Sequence, residues 1–583
     1  MQNDPKRDFR RNRPPAATWR SVATRATMGA AIAGVMVTSP VVAQQTLASD
    51  RPNIVLMVVD DLGYSDLGAF GGEIATPNLD ALIADGVQLT NFYAAPACSP
   101  TRSMLMSGTD NHIAGLGNMA ELLVDEQRGR PGYEGFLNDR VVAFPQYLLD
   151  AGYNTYMAGK WHLGAKPELL PASRGFEKSL AMMAGAASHF NQGGAGVKNP
   201  KASYFDGMEP FTLPEQFYST DFYTDKIIEY MKSEPADQPF MAYVAYTAPH
   251  WPLQAPRESI DKYRGKYDAG YEVIRDARIA RMKELGLLAT DAEAAVPNAK
   301  WPKWADLTPE QQAREARLME TYAGMIDRLD YNVGRIVAYL KESGKYDNTI
   351  FVFMSDNGAE GNDPEQTVAE NRAWLAENFD NSTDNIGNAN SYVGYGPVWG
   401  QVSSAPFRMF KGFTYEGGIH VPAFVTAPGR LKPGKNAGLM SVMDIAPTLL
   451  DYAQVPQPGT EYKGKQIEPI KGVSQVAALS GQAAARGAED TVGWELFGRT
   501  AVRDGDWKLV WSNKPFGTGN WELFDLSTDP AEAKDLAASN PDKLAEMMKD
   551  WDAYQQANGV VWNEGLVDQM YYSNNDTHFD PAQ

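Results

Sequence analysis

Three apolar runs, each closing on polar side chains, restrict the fold of this chain more than any other feature. They are NIVLMVVDD from Asn53, FMAYVAYTAPHWP from Phe240 and TIFVFMSDNG from Thr349. Their near-continuous apolar character is that of strands buried on both faces of a parallel sheet. Helical stretches lie between such runs. In TPNLDALIADG, Thr76 serves as N-cap, Pro77 takes the first helical position and Gly86 stops the helix. Strands alternating with helices predict an α/β fold with a large, mostly parallel central sheet flanked by helices. Ligands of open α/β sheets bind beyond the carboxyl ends of the strands, so Asp60–Asp61, His250 and Asp356–Asn357 are expected to converge there.

The 583 residues exceed what one hydrophobic core usually supports. We expect a main α/β domain over residues 44–455 and a smaller α+β domain over 456–583. In the latter, TAVRDGDWKLVWSN and WELFDLSTDP read as antiparallel strands with turns, and PDKLAEMMKDWDAYQQA as an amphipathic helix. Residues 270–320, rich in Ala, Arg, Glu and Lys, are expected to form helices of an excursion from the sheet. The Asn- and Gly-rich stretch 361–405 is expected to be irregular and to wall or cover a site.

Residues 1–43 read as a signal peptide: seven Lys/Arg precede the apolar run MGAAIAGVMVTSPVVA, which ends in a small-x-small pattern at Val41 and Ala43. The Arg10–Arg11 pair lacks the hydrophobic follow-on of a twin-arginine signal, so the general export route is expected, with a periplasmic or secreted product. The run is too short and too broken to span a bilayer, so no stable membrane insertion is expected. Removing seven basic and two acidic side chains takes the formal charge from −20 to about −25. So acidic a protein is a poor partner for nucleic acid or anionic membranes. A small anionic substrate would need local cations to reverse the field.

Cys98 is the only cysteine, which excludes an intramolecular disulfide and a cysteine-based zinc site. It is either an inert small hydrophobe or a reagent. Ser99 is suited to an N-cap and Pro100 to a first helical position, so a helix is expected to begin just after Cys98, with Arg102 one turn on and able to reach back. Helix N-termini favour anions. Asp60, Asp61, Asp356 and Asn357 supply oxygen donors suited to a hard cation, though such pairs at strand ends also serve as caps or solvated turns. In GYNTYMAGKWHLG, Lys160 and His162 are two apart and would share one face of an extended segment, a pairing fit for anion binding and proton transfer. His250 is a candidate general acid and Lys411, in FKGFTYEGG, a candidate second anion clamp. His112, His189, His420 and His578 read as structural or peripheral.

Together, Cys98-Ser99-Pro100-Thr101-Arg102 with SMLMSG behind it, GYNTYMAGKWHLG, NIVLMVVDDLGYSDLG, SDNG and FKGFTYEGGIHVP resemble the type I sulfatases, most closely the bacterial arylsulfatases of the alkaline-phosphatase superfamily. The resemblance covers residues from about Arg51 to Asp451 and implies an alkaline-phosphatase-like fold. It implies that a formylglycine-generating enzyme oxidises Cys98 to formylglycine, an aldehyde. It assigns Asp60, Asp61, Asp356 and Asn357, with the modified Cys98 nearby, to one Ca²⁺. Arg102 would steady the hydrated aldehyde, Lys160 and Lys411 would hold sulfate, and His162 and His250 would handle protons. One hydroxyl of the hydrate would attack the sulfur of a sulfate monoester, and the other would let the enzyme expel sulfate and regenerate the aldehyde. Two alternatives stay open: a phosphonate or phosphate ester hydrolase of the same superfamily, and a non-catalytic binder of sulfated ligands in which Cys98 remains a thiol.

Overall fold

The computed structural model describes residues 51–563 except 197–198, 234–237, 367–368, 483–485 and 488–489. The expected signal peptide and His578 lie outside the described residues. A ten-stranded mixed sheet organises the chain. Its strands are β1 (Asn53–Asp60), β2 (Val87–Leu89), β3 (Asn154–Lys160), β4 (Lys178–Met182), β5 (Tyr204–Asp206), β6 (Glu209–Phe211), β7 (Phe240–Pro249), β8 (Thr349–Ser355), β9 (Ala423–Thr426) and β10 (Gly434–Asn436). The spatial order is β10-β2-β9-β8-β1-β7-β3-β4-β5-β6. The run β8-β1-β7-β3-β4 is parallel throughout, and antiparallel strands β9 and β5 flank it.

The three apolar runs of the sequence became β1, β7 and β8, side by side at the centre. All eight residues of β1 are buried, because helices cover both faces of the sheet. Val55, Met57 and Val59 enter one core, with Met319, Tyr322 and Ile326; Ile54, Leu56 and Val58 enter the other, with Leu105 and Met106. Each such side chain contributes about 1.5–3 kcal/mol by leaving water. Truncating Leu56 to Ala would cost about 2–5 kcal/mol.

Among the helices are α1 (Pro77–Ala84), α2 (Cys98–Ser107), α3 (Ser219–Lys232), α4 (Tyr271–Glu284), α5 (Pro309–Glu342), α6 (Ala369–Asn378) and α7 (Gly396–Ser403). Thr76 and Pro77 open α1 as expected, but the Thr76 side chain does not cap it. Asp330 of α5 does, accepting from the backbone N–H of Asn78 (3.0 Å) and Leu79 (2.8 Å). The long α5 begins with a reciprocal cap: Thr308 Oγ1 accepts from the Gln311 N–H, and Gln311 Oε1 from the Thr308 N–H.

Two expectations need correction. Residues 270–320 do not form a separate excursion: α4 buries Tyr271, Ile274 and Met282 in the same core as β1, and α5 runs on to Glu342 and packs its Met319, Met325 and Leu329 there too. The stretch 361–405 is not irregular throughout, since it holds α6 and α7, the latter fully buried.

The C-terminal part forms an antiparallel sheet of four strands, β11 (Val492–Leu496), β12 (Arg499–Asp504), β13 (Trp507–Trp511) and β14 (Trp521–Asp525), in that order. Gly505, at φ +57°, turns β12 into β13. Helix α8 (Pro541–Asn558) buries Met547 and Trp551 against Val502, Leu509 and Leu523 of this sheet. The strand β11 was not anticipated from the sequence. No helix among the described residues is long and apolar enough to cross a membrane.

Candidate active site

Four parallel strands deliver polar residues from their carboxyl ends to one place. Strand β1 ends in Asp60, followed by Asp61; β8 leads into Asp356 and Asn357; β3 ends in Lys160; β7 leads into His250. The register of β1 against β7 shifts between Val58 and Asp60, and Asp61 adopts φ +71°, a left-handed conformation unusual outside glycine. Tyr322 of α5 braces this turn, donating to the Asp61 carbonyl (3.3 Å) and to Asp66 Oδ2 (2.7 Å).

Cys98 enters from α2. The helix begins at Cys98 itself with Ala97 in the cap position, so the expected cap at Ser99 is wrong by two residues. Ser99 Oγ is buried and makes no hydrogen bond to any described residue. Thr101 shapes the approach instead: its hydroxyl accepts from the Ala95 N–H (2.9 Å) and lies 3.2 Å from the Ala95 carbonyl.

Ligand atoms of Asp60, Asp61, Cys98 and His250 all lie within 4.8 Å of one another, and all four residues are buried. Cys98 Sγ is 3.9 Å from Asp61 Oδ1, and His250 Nε2 is 3.4 Å from Asp61 Oδ2. Lys160 Nζ donates to Asp60 Oδ2 (2.7 Å) and Lys411 Nζ to Asp61 Oδ2 (2.9 Å). Arg102 clasps Asp356 Oδ2 with Nε (2.9 Å) and Nη2 (2.7 Å), and reaches the Lys160 carbonyl with Nη1 (2.8 Å). Asn357 Nδ2 donates to Asp61 Oδ1 (2.6 Å).

The donor set fits a hard cation. Asp60 Oδ1 and Asn357 Oδ1 are buried and accept no hydrogen bond from any described residue, and Arg102 Nη2 stands 3.9 Å from the former. Buried oxygens left open in this way cost free energy unless something polar meets them. Carboxylate and amide oxygens, with no second sulfur, suit Ca²⁺ or Mg²⁺. Counting Glu360, four buried carboxylates face the three cations Arg102, Lys160 and Lys411. A divalent ion would turn that small negative balance positive and allow an anion to approach.

Burial, reinforced by the charge of Asp60, raises the Cys98 thiol well above its ordinary range. The thiol therefore keeps its proton and is a poor nucleophile as it stands. Burial alone would raise Asp60, but the charges of Lys160 and Arg102 hold it well below the usual carboxylate range. Asp61 is pushed the other way by burial, which Lys411 only partly opposes. Burial and then the Lys411 charge keep His250 neutral. Its Nδ1 lies 2.6 Å from the Trp251 carbonyl, which can only accept, so the neutral ring carries its proton there and leaves Nε2 bare.

Of the residues singled out in the sequence, Cys98, Arg102, Lys160, Lys411, His250, Asp60, Asp61, Asp356 and Asn357 come together. His162 departs from expectation. Strand β3 ends at Lys160, and His162 follows in a left-handed turn at φ +58°, so the turn, and not a shared extended face, aims its side chain. Its Nε2 meets Glu121 Oε1 at 3.2 Å. Sequence reasoning missed two carboxylates, Glu121 and Glu360, the latter 2.9 Å from Lys411 Nζ. Glu360 follows SDNG by two residues, which was the available signal; Glu121 had none. Of the remaining histidines, His189 accepts or donates at Ser219 Oγ (2.7 Å) and meets the His250 carbonyl with Nε2 (3.0 Å), a supporting place consistent with a structural reading.

The sulfatase family pattern matches residues 52–455, and that described as N-sulphoglucosamine sulphohydrolase, C-terminal, matches residues 407–555. An uncharacterized sulfatase of Schizosaccharomyces pombe is 44% identical over 526 residues, which is 88% of this chain and 95% of the yeast protein. An arylsulfatase of Klebsiella aerogenes is 40% identical over 468 residues, 79% of this chain and 98% of its own length. Among solved structures, that of Ps i-CgsB superposes with a TM-score of 0.63 at 24% identity, covering 91% of this chain and 99% of the other, a likeness of fold. The strand-end cluster around Cys98 thus lies within a family-wide pattern that takes in most of the sequence: the chain belongs to the sulfatase family and is an arylsulfatase-like hydrolase of sulfate esters.

Proposed function

We propose that the chain hydrolyses aryl sulfate monoesters to a phenol and inorganic sulfate, with Cys98 converted to formylglycine and one Ca²⁺ held by Asp60, Asp61, Asp356 and Asn357. We further propose that it is exported before it acts and that a formylglycine-generating enzyme is its partner in maturation. The observation that carries the reading is the meeting of Cys98 with oxygen donors, two of them open, between two lysines. The 40% identity to an arylsulfatase supports the aryl preference.

When bound, the ion supplies Lewis acidity and charge neutralisation. Formylglycine, when hydrated, supplies a hydroxyl nucleophile where serine would offer only one oxygen. The rest falls to the side chains of the cluster and to His162. Lys160 and Lys411 hold sulfate oxygens, each such contact worth about 3–4 kcal/mol in comparable sites. Arg102 fixes Asp356 and the Lys160 backbone, and so the ligand frame. His250 and Lys411 face the departing oxygen. With Nδ1 committed to Trp251, His250 gives a proton from Nε2 only in its doubly protonated form, which burial and the Lys411 charge oppose, so the Lys411 ammonium is the donor that stands ready. His162 moves the proton at the residue-98 oxygen.

Mass spectrometry of the peptide spanning Cys98 tests the modification: formylglycine is expected, and a free thiol in active material would overturn it. Comparing kcat/KM for a 4-nitrophenyl sulfate with the matching phosphate and phosphonate tests the substrate class, and a preference for phosphorus would reject the sulfate reading. Chelation followed by Ca²⁺ or Mg²⁺ add-back, with the bound metal counted, tests the ion.

A further inference from the structure

His162 and Glu121 form a pair that the residues so far discussed do not explain. His162 Nε2 lies 3.2 Å from Glu121 Oε1, and the imidazole is only 9% exposed. The other ring nitrogen, Nδ1, is buried and makes no hydrogen bond to any described residue. Glu121 sits 41 positions away on a short turn, Ala120–Leu122, with its carboxylate 44% exposed. A third residue makes room for both. A Cβ at Gly185 would lie 2.8 Å from His162 Cε1, 3.0 Å from Nε2 and 3.3 Å from Glu121 Oε1. The backbone of Gly185 is not in the left-handed region, so it is the space beside the pair, and not a turn, that excludes a side chain there.

We propose that Glu121 is a positioning residue for His162: it holds the imidazole with its proton on Nε2 and leaves Nδ1 as the basic nitrogen. The proposal rests on the proton-handling role given to His162 above. An ionised carboxylate can only accept a hydrogen bond, so the nitrogen facing it must donate. In the neutral ring the proton then sits on Nε2, and the lone pair on Nδ1. A base must present a lone pair from a fixed direction, and a carboxylate behind an imidazole fixes both the tautomer and the ring plane. The φ of +58° at His162 aims the side chain by a costly backbone conformation, and the Glu121 contact holds it there. Because Glu121 is partly exposed, water weakens its hold, so the effect is smaller than that of a fully buried carboxylate.

The test uses the full-length, formylglycine-loaded enzyme and four variants, Glu121→Ala, Glu121→Gln, Gly185→Ala and His162→Ala. For each, kcat and KM are measured on 4-nitrophenyl sulfate, and ¹⁵N-histidine NMR reads which nitrogen of His162 carries the proton. Glu121→Ala should lower kcat about ten- to hundredfold, as loss of a histidine-orienting partner does elsewhere, with KM nearly unchanged. Its His162 should lose the Nε2–H preference. Glu121→Gln, whose amide oxygen still accepts, should keep more of both. Gly185→Ala should reproduce the Glu121→Ala pattern by pressing the pair apart, and the melting temperatures should stay together. Wild-type kcat or an unchanged His162 tautomer in Glu121→Ala, with His162→Ala strongly impaired, would overturn the proposal alone. Ordinary turnover by His162→Ala would overturn the catalytic reading of His162 and the pairing with it.

Discussion

The segment from Lys411 to His420, which holds a short helix over Glu416–Ile419, feeds two buried charge clusters that are built on opposite terms. At its start, Lys411 joins the strand-end cluster, where Asp60 Oδ1 and Asn357 Oδ1 are left without hydrogen bonds among the described residues. A few residues on, Glu416 joins a cluster shared with the C-terminal sheet. Its Oε1 takes Lys508 Nζ (2.7 Å), and its Oε2 takes the Tyr93 hydroxyl (2.6 Å) and His420 Nδ1 (2.9 Å). Lys508 also pairs with Glu532 (2.8 Å), whose other oxygen accepts from the Glu416 N–H (2.7 Å). A second closed set spans the same two parts of the chain: His112 meets Asp110 with Nδ1 (2.9 Å) and Glu495 with Nε2 (3.1 Å). Burial alike therefore serves different ends. A network whose groups are spent on each other fixes how elements dock, while one with open oxygens keeps capacity for something from outside.

The hardest blow to this contrast would come from Cys98→Ala. It should lower turnover of sulfate esters by about 10⁴-fold or more while leaving the urea midpoint in place. A collapsed midpoint would make the strand-end cluster structural after all. Glu416→Ala should do the reverse, costing about 3–5 kcal/mol in urea titration because Lys508 is left buried and half-paired, with kcat of the remaining folded protein near wild type. Lys411→Ala sharpens the boundary within one segment: a loss of about 10²–10³ in kcat on 4-nitrophenyl sulfate is expected, beyond the fall in urea midpoint that comes from leaving Asp61 and Glu360 buried without its charge.

The smallest effect is a pH dependence. Burial opposes charge on His112, yet Asp110 and Glu495 hold its imidazolium up to about 9, above the roughly 6.5 of an unfolded histidine. The native state thus binds this proton more tightly. Its contribution, about 3 kcal/mol, is complete below pH 6.5, declines as pH rises from there to 9, and is gone above. Urea midpoints of wild type and His112→Gln measured from pH 6 to 10 should converge on the alkaline side; parallel curves would remove His112 from the closed set.

Much of this was legible in the sequence because apolar runs with polar ends carry both strand and site in one stretch. Strands β1, β7 and β8, the C-terminal hairpin and α8 could be read from local pattern. So could Asp60, Asp61, His250, Asp356 and Asn357, whose convergence follows from parallel strands alone. What could not be read depends on partners distant in the chain or on geometry without a residue signature. Strand β2 has three residues and no detectable period. The cap of α1 comes from Asp330 instead of Thr76, and Glu121 reaches His162 across 41 positions. The turn at His162 uses a φ that a histidine gives no warning of adopting.

The left-handed turn at Asp61 bears on how such a protein could decay over evolutionary time. Only Gly, Asn and Asp visit that conformation cheaply; others pay roughly 1–2 kcal/mol and a β-branched residue more. A descendant released from catalytic duty could therefore discard the charge through Asn or Gly with its chain path intact, whereas Val or Leu would first have to rebuild the turn. Silent copies descended from this chain should betray themselves by an amide or a glycine at position 61 long before their cores diverge.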